Sequence, residues 1–360
     1  MTESNSTTPR ILNRNFDASS DVVAWFQSNG TAKDLAAIPQ LPQTLCEATT
    51  VAICTYKRPA SLKRLLDSIA IQDQRPAQLI LVDASPDGES ESVVRGHQSL
   101  QQLADNVLYI RVTGGLRGLT RQRNYALRFV TFDLVVFLDD DVVLDASCLR
   151  EMARVHREGG ERVAGVAGST PEHTETPTRV WRIRKRLRVV PNLRPGSYSA
   201  AGMSVPWFVN PSTNELRQGD WLPGYCMMWK TKHARDLGFC ESFDSYAQSE
   251  DLDFSLRMRN KGSLILAGAA RLQHLPDPSG RPDHYKLGYM AIHNRYHIFL
   301  RTFPNRGWTE SIQFFYSWTM DTILYARGLL IPSRSLSTFQ HLAGRTKAFV
   351  HAFAQNSQSR

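Results

Sequence analysis

The sequence has few cysteines, and they are not arranged in pairs. Five lie scattered along the 360 residues without a CxxC motif: Cys46, Cys54, Cys148, Cys226 and Cys240. This spacing argues against a disulfide framework and against a cysteine zinc site. A reducing compartment fits it best, so we expect a cytoplasmic protein.

Long apolar runs are also missing. The best candidate, from Ile312 to Ile331, contains Asp321 and Arg327, which argues against a membrane-spanning helix. The polar N-terminus lacks the apolar core of a secretory signal peptide. The formal net charge of +9 predicts attraction to anions such as nucleotide phosphates, acidic saccharides and anionic lipids, without choosing among them. Because no nucleic-acid-binding motif accompanies this charge, we expect no nucleic acid partner.

The chain divides into three parts. Residues 1–45 form a polar N-terminal extension that we expect to be partly disordered, with a short helix that runs through Phe26. Residues 46–275 carry the motifs described below, and residues 276–360 form a C-terminal helical extension. Two alternatives stay open for these last helices: packing against the preceding domain, and contact with the inner face of a membrane.

Short apolar runs alternate with helical patterns in the middle part. The runs that predict strands are Val51–Cys54, Leu79–Val82, Val107–Val112 and Leu134–Leu138. The alternation predicts an α/β fold, Rossmann-like, with a mostly parallel twisted sheet and flanking helices. Thr55, Asp83 and Asp139 stand at the carboxyl ends of three strands, where such sheets bind ligands.

Three consecutive carboxylates, Asp139, Asp140 and Asp141, close the fourth predicted strand. Adjacent anions repel one another, and the arrangement becomes favourable when a hard cation binds between them. Mg²⁺ or Mn²⁺ suits oxygen ligands, and a substrate diphosphate can complete its coordination shell. The alternative is an acidic turn that caps a helix. The position at a strand end favours the metal site.

Two predicted helices begin with charged residues. Arg121, Arg123 and Asn124 open a helix after a glycine-bearing loop, where donors can meet phosphate; a solvated basic face is the alternative. Glu250 and Asp251 open the other helix. A carboxylate there either removes the proton from an acceptor hydroxyl or only favours the helix N-terminus electrostatically.

A histidine follows a later predicted strand. His274 comes directly after the run from Leu264 to Leu272. A neutral imidazole at this place could complete a metal shell, although a lone histidine is more often structural.

A basic segment separates the carboxylate motifs. Arg179–Arg194 interleaves arginine and lysine with apolar residues. It is suited to binding an anionic or lipid diphosphate acceptor, and a solvated basic excursion is the alternative.

Six segments between Val51 and His274 follow one another in a characteristic order. They are VAICTYKRPASLKRLLDSI, LILVDASPDG, GLTRQRNYAL, LVVFLDDDVVLD, WLPGYCMMWKTKHARDLGFCESFDSYAQSEDLDFSLRMRNKG and RLQH. Each alone is weak, but the complete series resembles the inverting family 2 glycosyltransferases of GT-A fold. Two departures concern the base and the acceptor: Ala84 follows Asp83 where many relatives have an acidic or amide residue, and Cys240 departs from the family pattern.

The resemblance implies a role for each motif. The residues expected to bind the nucleotide-sugar donor are Thr55, Tyr56, Arg58, Asp83, Arg123, Asn124, Asp139 and Asp140. The residues expected to hold the divalent ion are Asp139, Asp141 and His274, with Asp141 as the direct ligand. Those expected on the acceptor side are Trp221, Gly224 and Tyr225. Asp251 resembles the catalytic base, and Glu250 supports it.

The expected activity is metal-dependent, inverting transfer of a sugar from a UDP-, dTDP- or GDP-linked donor to a hydroxyl of a saccharide or lipid-linked acceptor. Cell-envelope polysaccharide or glycoconjugate synthesis would use such a reaction. A nucleotidyltransferase acting on sugar phosphates is a less favoured alternative, because the segment CTYKRPAS after the first strand contains no glycine-rich phosphate loop. A catalytically inactive saccharide-binding relative is also a less favoured alternative, because the Asp139–Asp141 and Glu250-Asp251 motifs are both intact.

Overall fold

The computed structural model describes residues 10–11, 23–28, 49–97, 103–170, 179–190, 193–207, 211–212, 214–243 and 245–358. The strands are β1 Arg10–Ile11, β2 Val23–Ser28, β3 Thr49–Thr55, β4 Gln78–Asp83, β5 Asn106–Arg111, β6 Leu134–Asp139, β7 Val142–Leu144, β8 Val163–Ser169, β9 Leu216–Gly219, β10 Cys226–Lys230 and β11 Ser263–His274. Helices are α1 Pro59–Ala70, α2 Glu89–Arg95, α3 Leu119–Leu127, α4 Cys148–Gly159, α5 Arg179–Arg186, α6 Thr231–Leu237, α7 Glu250–Met258, α8 His284–Thr302, α9 Trp308–Ala326 and α10 Ser335–Gln358.

Four parallel strands form the centre of the sheet, in the order β5, β4, β3, β6. β3, β4 and β6 are almost entirely buried, as expected for parallel strands covered by helices on both faces. Their common direction brings their carboxyl ends to one edge, where Thr55 pairs with Asp83 and Cys54 pairs with Asp139. The α/β class and the four predicted strands are confirmed.

Helix α1 shows how the sequence pattern produces the packing. Pro59 lies in its first turn, where a missing N–H costs no helical hydrogen bond. Leu62, Leu65, Leu66 and Ile69 recur at helical spacing, and all four are fully buried in the core beside the sheet. Burying four such side chains contributes roughly 6–12 kcal/mol before entropy costs are counted.

The other half of the sheet is more mixed than the sequence indicates. β10 lies antiparallel between β6 and β8, and β11 runs parallel to β8. The last part of β11 pairs with the short strand β7, with His274 opposite Val142. This register carries His274 to the end of the Asp139–Asp141 motif.

The N-terminal extension adds a strand to the sheet. The short helix expected through Phe26 is wrong, because Val23–Ser28 is a strand that pairs antiparallel with β5. Six residues are too few for periodicity to distinguish a helix from a strand. Pairing with the available edge of β5 therefore determines that this segment is a strand. Within residues 1–45, the structure describes only Arg10–Ile11 and Val23–Ser28; the other positions lie outside the described residues.

The C-terminal helices α8, α9 and α10 pack around aromatic side chains that include Tyr296, Phe299, Phe314 and Trp318. α8 also contacts the preceding domain, where the Asn294 amide donates to the Gln248 carbonyl at 2.8 Å. Helix α8 therefore packs against that domain. Among the described residues, no helix is long and apolar enough to cross a membrane.

Candidate active site

A cavity of about 670 Å³ opens at the carboxyl ends of β3 and β6. Its wall contains residues from both strand ends and from the N-terminus of α7, including Thr55, Asp139 and Asp251. A volume of this order can hold a nucleotide-sized ligand. The cavity therefore gathers motifs that lie far apart in the sequence, from Thr55 to His274.

The three carboxylates after β6 are held by different partners. Asp139 accepts a hydrogen bond from Arg123 at 2.9 Å. Asp140 accepts from the Thr55 hydroxyl at 2.7 Å and from Arg58 at 2.9 Å. A strand, β7, follows them directly, so the alternative of a helix-capping turn is wrong.

Asp141 has the densest set of contacts. Its carboxylate accepts the Asp277 N–H at 3.0 Å and faces His274 Nε2 at 3.2 Å. Its backbone carbonyl accepts the Leu275 N–H at 2.8 Å, so the chain just after β11 is tied to the motif at two points.

Burial and pairing act differently on these acids. Burial raises the pKa of Asp140 to about 6, against the opposing effect of Arg58, and burial also raises the pKa of Asp139. For Asp141 burial acts upward too, but hydrogen bonds from His274 and the Asp277 N–H bring its pKa below the usual value. Asp141 is therefore the acid of the three that most readily stays ionised.

The donor atoms at this end fit a hard divalent ion. Asp141 Oδ1 and His274 Nε2 lie 3.2 Å apart, close to the ~3 Å expected for neighbouring ligands of one octahedral ion. Within the described part of the chain, no three His, Cys, Asp or Glu side chains form a ready-made metal shell. The set therefore suits an ion that takes most of its ligands from water and a diphosphate, as Mg²⁺ and Mn²⁺ do.

Glu250 and Asp251 stand at the first turn of α7, on another part of the cavity wall. Asp251 accepts the Gly224 N–H at 2.9 Å and the Leu252 N–H at 2.8 Å, so both carboxylate oxygens are fixed by backbone. Burial raises the pKa of both acids. A Cβ at Gly224 would lie 2.9 Å from the Asp251 Cβ, so the close approach requires glycine.

The backbone before α7 is strained. Ser245, Ala247 and Ser249 all have positive φ, at 59°, 52° and 70°. Ser249 occupies the N-cap position, but its side chain makes no capping hydrogen bond. Left-handed residues other than glycine are uncommon and cluster at functional sites.

Arg123 connects the two acidic motifs. Its guanidinium donates to Asp139 at 2.9 Å and to Glu250 at 2.8 Å, and it lies over the Phe137 and Phe239 rings. The side chain is 2% exposed and lies behind the cavity wall. Its position is that of a structural bridge between the carboxylates.

The chain has 28% identity over 116 residues to GalNAc(5)-diNAcBac-PP-undecaprenol beta-1,3-glucosyltransferase of Campylobacter jejuni. This covers 32% of this chain and 37% of the relative, so the chain spans about a third of that protein's length. Residues 50–212 match the family model for glycosyl transferase family 2. These residues belong to glycosyl transferase family 2. The match ends before Glu250 and His274, so the family model does not reach those two positions.

Solved glycosyltransferases share the fold. The mannosyltransferase PcManGT from Pyrobaculum calidifontis, in complex with GDP-Man and Mn²⁺, superposes with a TM-score of 0.50 at 16% identity, over 85% of this chain and 88% of that one. GalNAc-T7 with UDP, GalNAc and Mn²⁺ gives a TM-score of 0.53 at 12% identity, over 88% and 58% of the two chains. The GT-A fold is confirmed.

The residues expected to bind the donor divide into two groups. Thr55, Tyr56 and Arg58 lie in the cavity wall. The structure does not bring Asp83 there: it is fully buried, and its carboxylate accepts the Ser85 N–H and the Tyr109 hydroxyl.

Asn124 also lies away from the cavity. Its amide donates to the Phe239 carbonyl and accepts the Phe239 N–H, so it anchors the segment after α6. A helix places neighbouring side chains on different faces, which is why a position next to Arg123 does not share its surroundings.

The expected acceptor residues divide in the same way. Gly224 and Tyr225 are in the wall, and the Tyr225 ring lies 5.1 Å from the His274 ring. Trp221 packs near Trp207 instead, with ring centroids 6.4 Å apart. The described part of the basic segment, on and around α5, contributes nothing to the wall.

Several wall residues were given no role from the sequence. Arg117 and Arg281 lie outside the six segments, and Tyr246 and Gln248 lie within the fifth segment, where nothing singled them out. Gln122 supports the site from below, because its amide donates to the carbonyls of Val82 and Thr55 at two strand ends. The only sequence signal for Gln122 was its position one residue before Arg123 in the segment GLTRQRNYAL.

Proposed function

We propose that this chain is a metal-dependent, inverting glycosyltransferase of hexosyltransferase type. It transfers a sugar from a nucleoside diphosphate donor to a hydroxyl of a saccharide or lipid-linked acceptor, in cell-envelope polysaccharide or glycoconjugate synthesis. One observation carries the proposal: a single cavity joins the Asp141–His274 pair to the backbone-fixed carboxylate of Asp251.

The donor end lies at the tips of β3 and β6. Asp139, Asp141 and His274 would hold Mg²⁺ or Mn²⁺, which supplies charge neutralisation for the diphosphate leaving group. Thr55 and Arg58 fix Asp140, and Tyr56 offers an aromatic surface to the nucleotide. Two fold neighbours contain Mn²⁺ together with GDP-Man or UDP, which supports the same donor class here.

The acceptor end lies at Asp251. Each oxygen accepts one backbone N–H and keeps lone pairs for a hydroxyl proton. As the acceptor oxygen bonds to the anomeric carbon, its proton passes to Asp251, and the bond from that carbon to the diphosphate oxygen breaks. A single displacement of this kind inverts the anomeric configuration. Its raised pKa makes Asp251 a stronger base than an exposed aspartate.

The acceptor class is inferred from the sequence relative. That relative is named for an undecaprenol diphosphate-linked saccharide, which supports a lipid-linked acceptor for this chain. A protein with such a substrate would work at the inner face of a membrane, as a cytoplasmic peripheral protein.

Nucleoside diphosphate release from UDP-, dTDP- and GDP-sugars by the purified protein tests the proposal. We expect release from one donor class that needs Mg²⁺ or Mn²⁺, stops with EDTA and is restored by excess metal. Release that persists unchanged in EDTA would contradict the metal, and no release from any donor with a panel of saccharide and lipid-linked acceptors would contradict the activity.

A further inference from the structure

The outward side of helix α9 carries a row of exposed apolar side chains, with the uncharged Thr309, Gln313 and Thr319 exposed beside it. Trp308, Ile312, Tyr316 and Ile323 follow one another at intervals of four, four and seven residues, which places them on one face of the helix. All four are exposed, and Trp308 has 75% of its surface accessible. Phe314 and Trp318 occupy the opposite, buried side. A surface helix ordinarily has charged residues on its outward side, and this helix has none there.

The apolar exposure continues beyond the end of α9. The turn after the helix exposes Leu329, Leu330 and Ile331, and the start of α10 exposes Leu336 and Phe339. Leu330 is 84% exposed. Contiguous exposed apolar side chains on this scale indicate an interaction surface.

A cationic segment lies beside this row. Residues 179–188 contain no acidic side chain, and the exposed cations among them are Arg179, Arg182, Lys185, Arg186 and Arg188. Two exposed arginines, Arg327 and Arg334, lie at the far end of the row.

Hydrogen bonds fix the cationic segment against α9. The Tyr316 hydroxyl donates to the Leu187 carbonyl at 2.7 Å, and the Ser317 hydroxyl donates to the Val189 carbonyl at 2.8 Å. Arg184 forms an ion pair with Asp321. Tyr316 therefore belongs to the apolar row and also contacts the basic segment, so the two surfaces are adjacent.

We infer that this surface docks on an anionic phospholipid bilayer. The docking face is the apolar row of α9 and the following turn, together with the basic segment 179–188. Apolar side chains enter the interface between headgroups and acyl chains, while arginine and lysine contact anionic headgroups. A second copy of the chain fits less well, because a twofold contact would bring two cationic segments near each other.

Docking is compatible with the proposed lipid-linked acceptor but does not depend on it. Vesicle binding needs no nucleotide sugar, so a failure of docking and a failure of sugar transfer are separate results.

Co-sedimentation of the full chain with vesicles tests the docking face. Vesicles of phosphatidylcholine alone are compared with vesicles that also contain phosphatidylglycerol, at low and high salt. We expect binding to the anionic vesicles only, and weaker binding at high salt because screening weakens headgroup attraction. Ile312→Ser with Ile323→Ser, and separately Arg182→Gln with Arg186→Gln, should each weaken binding by about tenfold or more.

Matched controls lie outside the docking face. Ile71→Ser removes an equally exposed apolar side chain after α1, and Arg162→Gln removes an exposed cation after α4. Both should bind like the unmodified chain. Equal binding to neutral vesicles, or full binding by the Ile312→Ser/Ile323→Ser protein, would overturn the inference. So would a lipid-free dimer that those serines dissociate, because the face would then belong to a second copy.

Discussion

Asp251 is a side chain whose position and environment agree with one chemical role. Two backbone N–H groups orient its carboxylate, and burial raises its pKa. Glu250, the adjacent acid, is instead occupied by Arg123. Of the two, Asp251 is therefore the carboxylate to which we assign the proposed role of base. The sequence supported this assignment through the family resemblance.

Asp251→Asn should separate binding from transfer. An amide keeps the size of the side chain but cannot accept the hydroxyl proton, so we expect donor affinity within about twofold and kcat lower by about 10²–10⁴-fold. Calorimetry of donor binding and a product assay measure the two quantities. Asp87→Asn in an exposed turn is the control and should leave kcat unchanged; unchanged turnover in Asp251→Asn would remove the residue from this role.

Arg123→Met should destabilise the protein through its two carboxylate partners. Both carboxylates would lose their shared cation, and Glu250 would remain nearly buried without it, so we expect a loss of about 3–5 kcal/mol. Arg123→Lys should recover only part of this, because an ammonium cannot match both acids as the planar guanidinium does. Urea unfolding gives the values. A Met variant as stable as an exposed Arg162→Met control would show that the bridge is not structural.

At the scale of elements, the sheet depends on a close contact between β8 and β10. Gly165 lies opposite Trp229, and a Cβ at Gly165 would be 2.2 Å from an indole carbon. Trp229 is fully buried, so the ring has little room to move.

Gly165→Ala should therefore destabilise the fold by at least about 1–3 kcal/mol, the usual cost of overpacking a core. Gly88→Ala is the matched control, because nothing lies within 4 Å of its added methyl group, and it should change stability by less than about 1 kcal/mol. Thermal unfolding of both proteins measures the difference. Equal midpoints would mean that Trp229 can move away from an added methyl group at Gly165, which would contradict a tight β8–β10 contact.

The sequence predicted elements with strong periodicity and missed those fixed by distant contacts. The four central strands carry their own apolar runs, and α1 carries its own buried stripe. Val23–Ser28 becomes a strand only because β5 offers an edge. The family resemblance grouped His274 with Asp141, but the sequence did not predict the pairing with the three-residue strand β7 that brings them together. Arg123 could be identified as a basic residue near the site, but its partner Glu250 lies 127 residues away.

At the scale of the whole molecule, buried charges tie the C-terminal helices to the basic helix α5. Asp321 on α9 is 6% exposed and pairs with Arg184 of α5 and with Arg345 of α10. These pairs hold Asp321 ionised, and its pKa is lowered despite burial. One carboxylate thus joins three helices.

Asp321→Asn should loosen this part of the molecule. Two arginines would lose their counter-charge in a mostly buried place, so we expect a loss of about 3–5 kcal/mol. The exposed Asp236→Asn on α6 is the control and should stay within about 0.5 kcal/mol. Guanidinium unfolding followed by circular dichroism compares them. A stable Asp321→Asn protein would mean that apolar packing alone holds the three helices.

The proposed function depends on a nucleotide and a divalent ion sharing the cavity that Asp251 faces. A crystal structure with Mn²⁺ and the preferred nucleoside diphosphate tests this directly, because manganese is located by its anomalous scattering. We predict an anomalous peak beside the Asp141 carboxylate and His274, with the nucleoside diphosphate bound next to it in the same cavity. A nucleotide bound elsewhere, or manganese absent from Asp139, Asp141 and His274, would contradict the account.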